Sequence, residues 1–100
     1  GKYVLIVHGL INLYGNDDAG IETYVTANNG TNWYVHSLAY SGQTSGTAFH
    51  QVVSFALLDV TNTSNVKVRF DQDGLGTNSY VHGLASQVRT GFRFIRIGDT

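Results

Sequence analysis

An all-β fold of packed antiparallel sheets is what this sequence predicts, and three observations predict it. Short runs rich in Val, Ile, Tyr, Phe and Thr recur along the chain, separated by clusters of Gly, Asn and Asp. No window carries apolar residues at i, i+3, i+4 and i+7 between helix caps for the length a helix needs. There is no proline in 100 residues, so the polar stretches must turn on Gly and Asn. Six or seven short strands without a helix imply a β-sandwich or barrel in a single domain.

Taken in order, the first strand is expected at Lys2–Leu13. Tyr3, Leu5 and Val7 lie on one of its sides and Val4, Ile6 and His8 on the other, so both faces are apolar. The break Tyr14–Gly20 follows, with Asp17-Asp18 among glycines. Strands at Ile21–Thr26 and Thr31–Tyr40 flank Asn28–Gly30. Asn29-Gly30 is the sharpest hairpin signal, because both residues accept the positive φ of a tight two-residue turn. Ser41–Thr47 reads as a turn of small polar groups. The strand Phe49–Asp59 is again apolar on both sides, with Phe49, Val53, Phe55 and Leu57 on one and Val52, Ala56 and Leu58 on the other. After Thr61–Ser64, the strand Asn65–Asp71 alternates cleanly. Val66, Val68 and Phe70 take a dry face, and Lys67 and Arg69 a wet one. Beyond Gln72–Asn78 come strands at Ser79–Ser86 and Gly91–Gly98. The last puts Phe92 and Phe94 on one face, and Ile95 and Ile97 on the other.

A sandwich buries only the inner face of each sheet, so a strand apolar on both faces needs a second cover. A neighbouring subunit is the expected cover. The expected subunit interface is Val4, Ile6, His8, Val52, Ala56, Leu58, Ile95 and Ile97.

Composition excludes several functions. Charged residues are only 13% and the net charge is −1, which leaves too few cations for a phosphate-binding stripe, so no nucleic-acid partner is expected. The longest apolar run, Tyr3–Val7, is far too short to cross a bilayer as a helix, so no membrane insertion is expected. With no cysteine there is no disulfide framework and no thiolate zinc site. The absence of methionine leads to the expectation that the chain is the C-terminal part of a longer one.

Several stretches carry a resemblance. The chain opens Gly1-Lys2-Tyr3-Val4-Leu5, and a hairpin ending in Asn-Gly spans Ile21 to Gly30. A long apolar strand, Gln51–Leu58, leads through a polar turn to Val66-Lys67-Val68. An aromatic strand closes the chain at Gly91-Phe92-Arg93-Phe94-Ile95. This order and punctuation resemble the tumour necrosis factor and complement globular-head jelly rolls. The closing stretches Ser79-Tyr80-Val81-His82-Gly83-Leu84 and Phe94–Thr100 look like the tips of fibre and other structural proteins of tailed bacteriophages. The resemblance implies a jelly-roll β-sandwich, here without its N-terminal strands, since in the family two or three strands precede the glycine-aromatic one. It also implies a homotrimer with one sheet of each subunit facing the three-fold axis. The function implied is a non-catalytic head on a virion, joined to an upstream fibre or virion region, that assembles and attaches to a host-surface glycan or protein. A secreted lectin-like module of non-viral origin is the alternative.

The residues give catalysis little support. Ser41, Ser45, Ser54, Ser64 and Ser86 lack a Gly-x-Ser-x-Gly elbow, and the acids form no acid/base pair by spacing. No cofactor is expected. Asp71-x-Asp73-Gly74 is a fragment of a calcium loop without its closing Glu, and Asp is also an ordinary turn residue. His8 or His50, one from each of three chains, would be the residues to ring an axial ion, against an ordinary interface or core role. Attachment is expected of loops held by rigid strands. The contact residues expected are Tyr14, Asn16, Asp17, Asp18, Asp73 and Asn78, with Tyr34 as a lower-ranked stacking platform. Alternating turns place Tyr14–Gly20 and Ser41–Thr47 at the same end.

Overall fold

The computed structural model describes all 100 residues, Gly1–Thr100. Seven strands form: β1 Lys2–Tyr14, β2 Asp18–Thr26, β3 Tyr34–Gly42, β4 Thr47–Asp59, β5 Lys67–Asp73, β6 Tyr80–Val81 and β7 Gly91–Gly98. They make two antiparallel sheets packed as a β-sandwich, with no helix. In the first sheet β1 is central. β4 pairs with it along its whole length, and β7 and the short β6 share its other edge. The second sheet has the order β3-β2-β5. Consecutive strands share a sheet only at β2–β3 and at the short β6 with β7. The other connections of the main strands cross the sandwich, so residues distant in sequence meet in the core.

The core lies between the sheets. Leu5, Val7, Ile11 and Leu13 of β1 meet Ala19 and Ile21 of β2, Ala39 of β3, and Val52, Ala56 and Leu58 of β4. Val68 and Phe70 pack against this cluster from β5, as their alternation with the exposed Lys67 and Arg69 predicts.

The strands apolar on both faces, β1, β4 and β7, are hydrogen-bonded neighbours in one sheet. Register then sorts their two faces. Leu5 lies opposite Ala56, while Val4, Ile6 and His8 lie opposite Leu57, Phe55 and Val53. Residues directly opposite share a face. Val52, Ala56 and Leu58 therefore belong to the buried core of the single chain, not to the outer face that carries Val4, Ile6 and His8. This corrects three of the eight residues of the expected interface. The outer β4 residues are Val53, Phe55 and Leu57, and they are 52%, 64% and 69% exposed. On β7 the faces fall as expected at Ile95, which lies opposite Val4, and at Phe94, opposite the buried Leu5; the register shifts at Ile97.

Two local expectations also change. Asn29 and Gly30 do take positive φ, at 57° and 88°. They sit, however, in a seven-residue connection, Ala27–Trp33, between β2 and β3. The buried Thr26 hydroxyl organises it by accepting from the Gly30 and Asn28 amides. Side-chain caps thus replace the two-residue hairpin. The strand expected at Ser79–Ser86 shrinks to Tyr80–Val81, which pairs with Ile11 and Asn12; on either side of that pair the Leu10 and Tyr14 amides of β1 donate to the Thr90 and Ser79 hydroxyls instead of to a strand.

The two flanks of the sandwich differ. Along β3 and β4 it is stitched shut: His36 Nε2 donates to the Leu57 carbonyl at 3.1 Å, and Ser37 meets Ser54 at 3.4 Å. Along β5 and β7 it gapes. There Phe70 and Phe92 stack with centroids 4.9 Å apart, beside a cleft of about 260 Å³ lined by Val7, Ile21, Phe70, Thr90, Gly91 and Phe92.

Candidate functional site

Three connections gather at one end of the sandwich: Gly15–Asp17, Gln43–Gly46 and Gly74–Ser79. The expected pairing of the first two is what the structure has, and Gln43 brings it about. Its side-chain amide lies within 3.0–3.2 Å of the Leu13, Gly15 and Gly46 carbonyls, to which it donates. Its Oε1 accepts from His50 Nε2 at 2.8 Å, and His50 Nδ1 then accepts from the Ser41 hydroxyl at 2.9 Å. The Gly15 amide donates to the Gly46 carbonyl at 2.7 Å. Sequence reasoning missed Gln43, reading its stretch as small polar groups only. The available signal was that Gln43 has the one long side chain there.

Asp17 ties in the third connection. Its carboxylate accepts from the Ser79 hydroxyl at 2.5 Å, and Ser79 in turn accepts from the Tyr14 amide at 3.0 Å. Gly76 packs directly on that carboxylate, where a Cβ would displace it. Gly74, at φ 80°, leaves no room for a Cβ against the Asp18 carbonyl oxygen, which as backbone cannot move aside. Tyr40 completes the junction. Its phenol lies 3.2 Å from the Asp18 carbonyl and 3.3 Å from the Asp73 carboxylate, as donor to both. Packing raises the Tyr40 pKa first, and the neighbouring Asp73 charge raises it further.

Tyr14, Asn16, Asp17, Asp18, Asp73 and Asn78 are therefore brought to one end. Asp17 is half-buried and engaged as a structural acceptor; the others are exposed. Asn16, Asp18, Asp73 and Asn78 are exposed at this end, as is the Tyr14 ring, 51% exposed, which alternation with the buried Leu13 turns to the outer face of the β4-β1-β7 sheet. Tyr34 is not part of this group. It begins β3, whose far end Gly42 pairs with Asp18, so roughly 25 Å of strand separates them.

The histidines do not converge either. His8 lies on the outer face of the β4-β1-β7 sheet, and His50 is held between Ser41 and Gln43 inside the flank. His50 is therefore engaged within the chain and not on the outer face that carries His8. No group of three or more His, Asp or Glu side chains is placed to hold a metal ion.

A second cluster lies on the outer face of the β3-β2-β5 sheet. The Arg69 guanidinium sits 4.5 Å from the Tyr24 ring centroid and 4.8 Å from that of Trp33. Asp71 is 3.2 Å from Arg69 Nε. Tyr24 donates to Glu22 at 3.2 Å, and this hydrogen bond is the chief cause that raises its pKa. The arginine fills the space between the two rings, so this pair is not a vacant stacking platform.

Comparison of the chain with protein-family models, with curated proteins and with solved structures yields no match.

Proposed function

We propose that this chain is a non-catalytic, trimeric head domain of a tailed-phage fibre or virion surface protein, working in assembly and attachment. One observation carries the reading: the outer face of the β4-β1-β7 sheet is apolar and uncovered in the single chain. Leu57, Val4 and Ile95 form one row across it, and Phe55, Ile6 and Arg93 the next. Ile95 is 47% and Ile97 58% exposed. Scattered apolar surface residues need no explanation, whereas a contiguous face of this kind marks an interaction surface. The repeated crossing between sheets supports a jelly-roll reading, since jelly rolls are built from such Greek-key connections. The polar loop end, with Asp18, Asp73, Asn16, Asn78 and Tyr14, is the attachment surface in this reading. Its amides and carboxylates suit the hydroxyls of a glycan, and its tyrosine offers a ring to stack on.

Sedimentation equilibrium at micromolar concentration tests the assembly, with a mass three times that of the chain expected. A glycan array with wild type and with Asp18→Ala/Asp73→Ala tests the attachment surface. Binding by the first and not by the second is expected. A folded trimer whose binding survives both substitutions moves the site elsewhere.

A further inference from the structure

β5 ends its sheet. β2 pairs with one of its edges, and no strand of the chain pairs with the other. A free strand edge presents N–H and C=O groups that a further strand satisfies, and proteins commonly blunt such edges with charge. The charges of β5 are not arranged to repel. Its outward residues run Lys67, Arg69, Asp71, Asp73, two cations followed by two anions, in alternation with Val68, Phe70 and Gln72.

We propose that β5 pairs antiparallel with β5 of a second copy, about a two-fold axis through Phe70. The two β3-β2-β5 sheets then join into one. In that register Arg69 faces Asp71 of the second copy, and Lys67 faces its Asp73. All four charges of each strand meet an opposite charge. Moving the axis by one residue sets Arg69 against Arg69 or Asp71 against Asp71, and like charges directly opposite are unfavourable. Charge therefore selects one register, and a two-fold interface requires this self-complementarity. The only charges of β7 are Arg93 and Arg96, so its free edge lacks the acids for such a pairing.

The side chains are already placed. Tyr24 and Trp33 hold Arg69 on the outer face, beside Asp71, and both charged groups stay more than 40% exposed, at 43% and 44%. On the inner side Phe70 meets its own copy. That extends the apolar cover over the cleft between Phe70 and Phe92. The surface is distinct from the apolar outer face of the other sheet, so the two assemblies are independent.

Two measurements on the full 100-residue chain test the pairing. Sedimentation velocity over a concentration series, at low and at high salt, should show a mass that doubles with concentration and does so less readily in salt. Asp71→Arg should weaken the doubling by about tenfold or more, and Arg69→Asp/Asp71→Arg should restore it, because the swap keeps each strand complementary to itself. The chain has no cysteine, so Phe70→Cys introduces the only thiol. Cα atoms facing across an antiparallel pair lie about 4.5–5.5 Å apart, within disulfide range, so oxidation should give a covalent dimer. Lys67→Cys should not, since its counterpart would be about 20 Å along the strand. Cross-linking by both variants, or by neither, overturns the proposed register. Doubling that is indifferent to Asp71→Arg overturns it as well. Loss of the apolar-face trimer in Leu57→Asp, with doubling retained, separates this proposal from the assembly reading above.

Discussion

Tyr40 donates to the Asp18 carbonyl and the Asp73 carboxylate, so its ionised form would lose both bonds and face a carboxylate. Tyr24 stands in the same relation to Glu22. Both pKa values are raised, which means the folded state holds these protons more tightly than the unfolded one. That stabilisation is fully present below the unfolded pKa of about 10 and is lost as pH rises through the folded value. Thermal melts from pH 9 to 11 should show wild type losing stability more steeply than Tyr24→Phe/Tyr40→Phe. Two neighbouring acids differ more sharply. Asp17 accepts a charge-assisted hydrogen bond from Ser79, and its loss costs about 1.5–3 kcal/mol, which for a domain of this size lowers Tm by roughly 6–24 °C. Asp18 is exposed, and its carbonyl rather than its carboxylate makes the contact to Tyr40. Asp17→Ala should therefore destabilise, while Asp18→Ala leaves Tm nearly unchanged. Adjacent carboxylates in one polar loop look alike in sequence. What separates them is the arrival of Ser79, 62 residues away.

At the scale of elements, the connections act as a set. Gln43 binds carbonyls from the end of β1, from the β1–β2 connection and from its own turn, and it orients His50. Gln43→Ala should take this donor from the Leu13 and Gly15 carbonyls, while Gly46 keeps the Gly15 amide, and cost about 1–3 kcal/mol. Hydrogen exchange at the Gly15 amide, which donates to Gly46, should accelerate in that variant, and unchanged protection there would assign the clasp to the backbone alone. Strand positions were largely legible, because alternation and the Gly/Asn breaks are local signals. β7 runs over Gly91–Gly98 as expected, and β1 differs by one residue at its end. The short β6 was not legible. Its sequence, Tyr80-Val81-His82, suits a strand, and its ends are set by the Ser79 and Thr90 hydroxyls, which take the Tyr14 and Leu10 amides on either side of the pair.

In the whole molecule, the two faces of β4 carry different consequences. Val52 is buried in the core, so Val52→Asp places an unpaired carboxylate among apolar groups at a cost of several kcal/mol and should prevent folding. Leu57 is 69% exposed in the single chain, so Leu57→Asp should fold and fail to assemble. Circular dichroism together with sedimentation separates the two outcomes. A Leu57→Asp variant that still assembles fully would remove this face from the interface.

Periodicity and turn chemistry in the sequence alone determined that the chain is all-β, where its main strands lie and which of them are apolar on both sides. These properties follow from how each residue directs its side chain relative to its immediate neighbours. Which apolar face of β4 turns inward was decided only in three dimensions. Val52, Ala56 and Leu58 are no more hydrophobic than Val53, Phe55 and Leu57, and the choice comes from register against β1, where Leu5 and Val7 already face the second sheet. A shift of one residue exchanges the two faces, and no local pattern records that shift. The loop end has the same origin. Asp17, Gln43 and Ser79 meet because the connections cross between sheets, a property of the path of the chain rather than of any stretch along it.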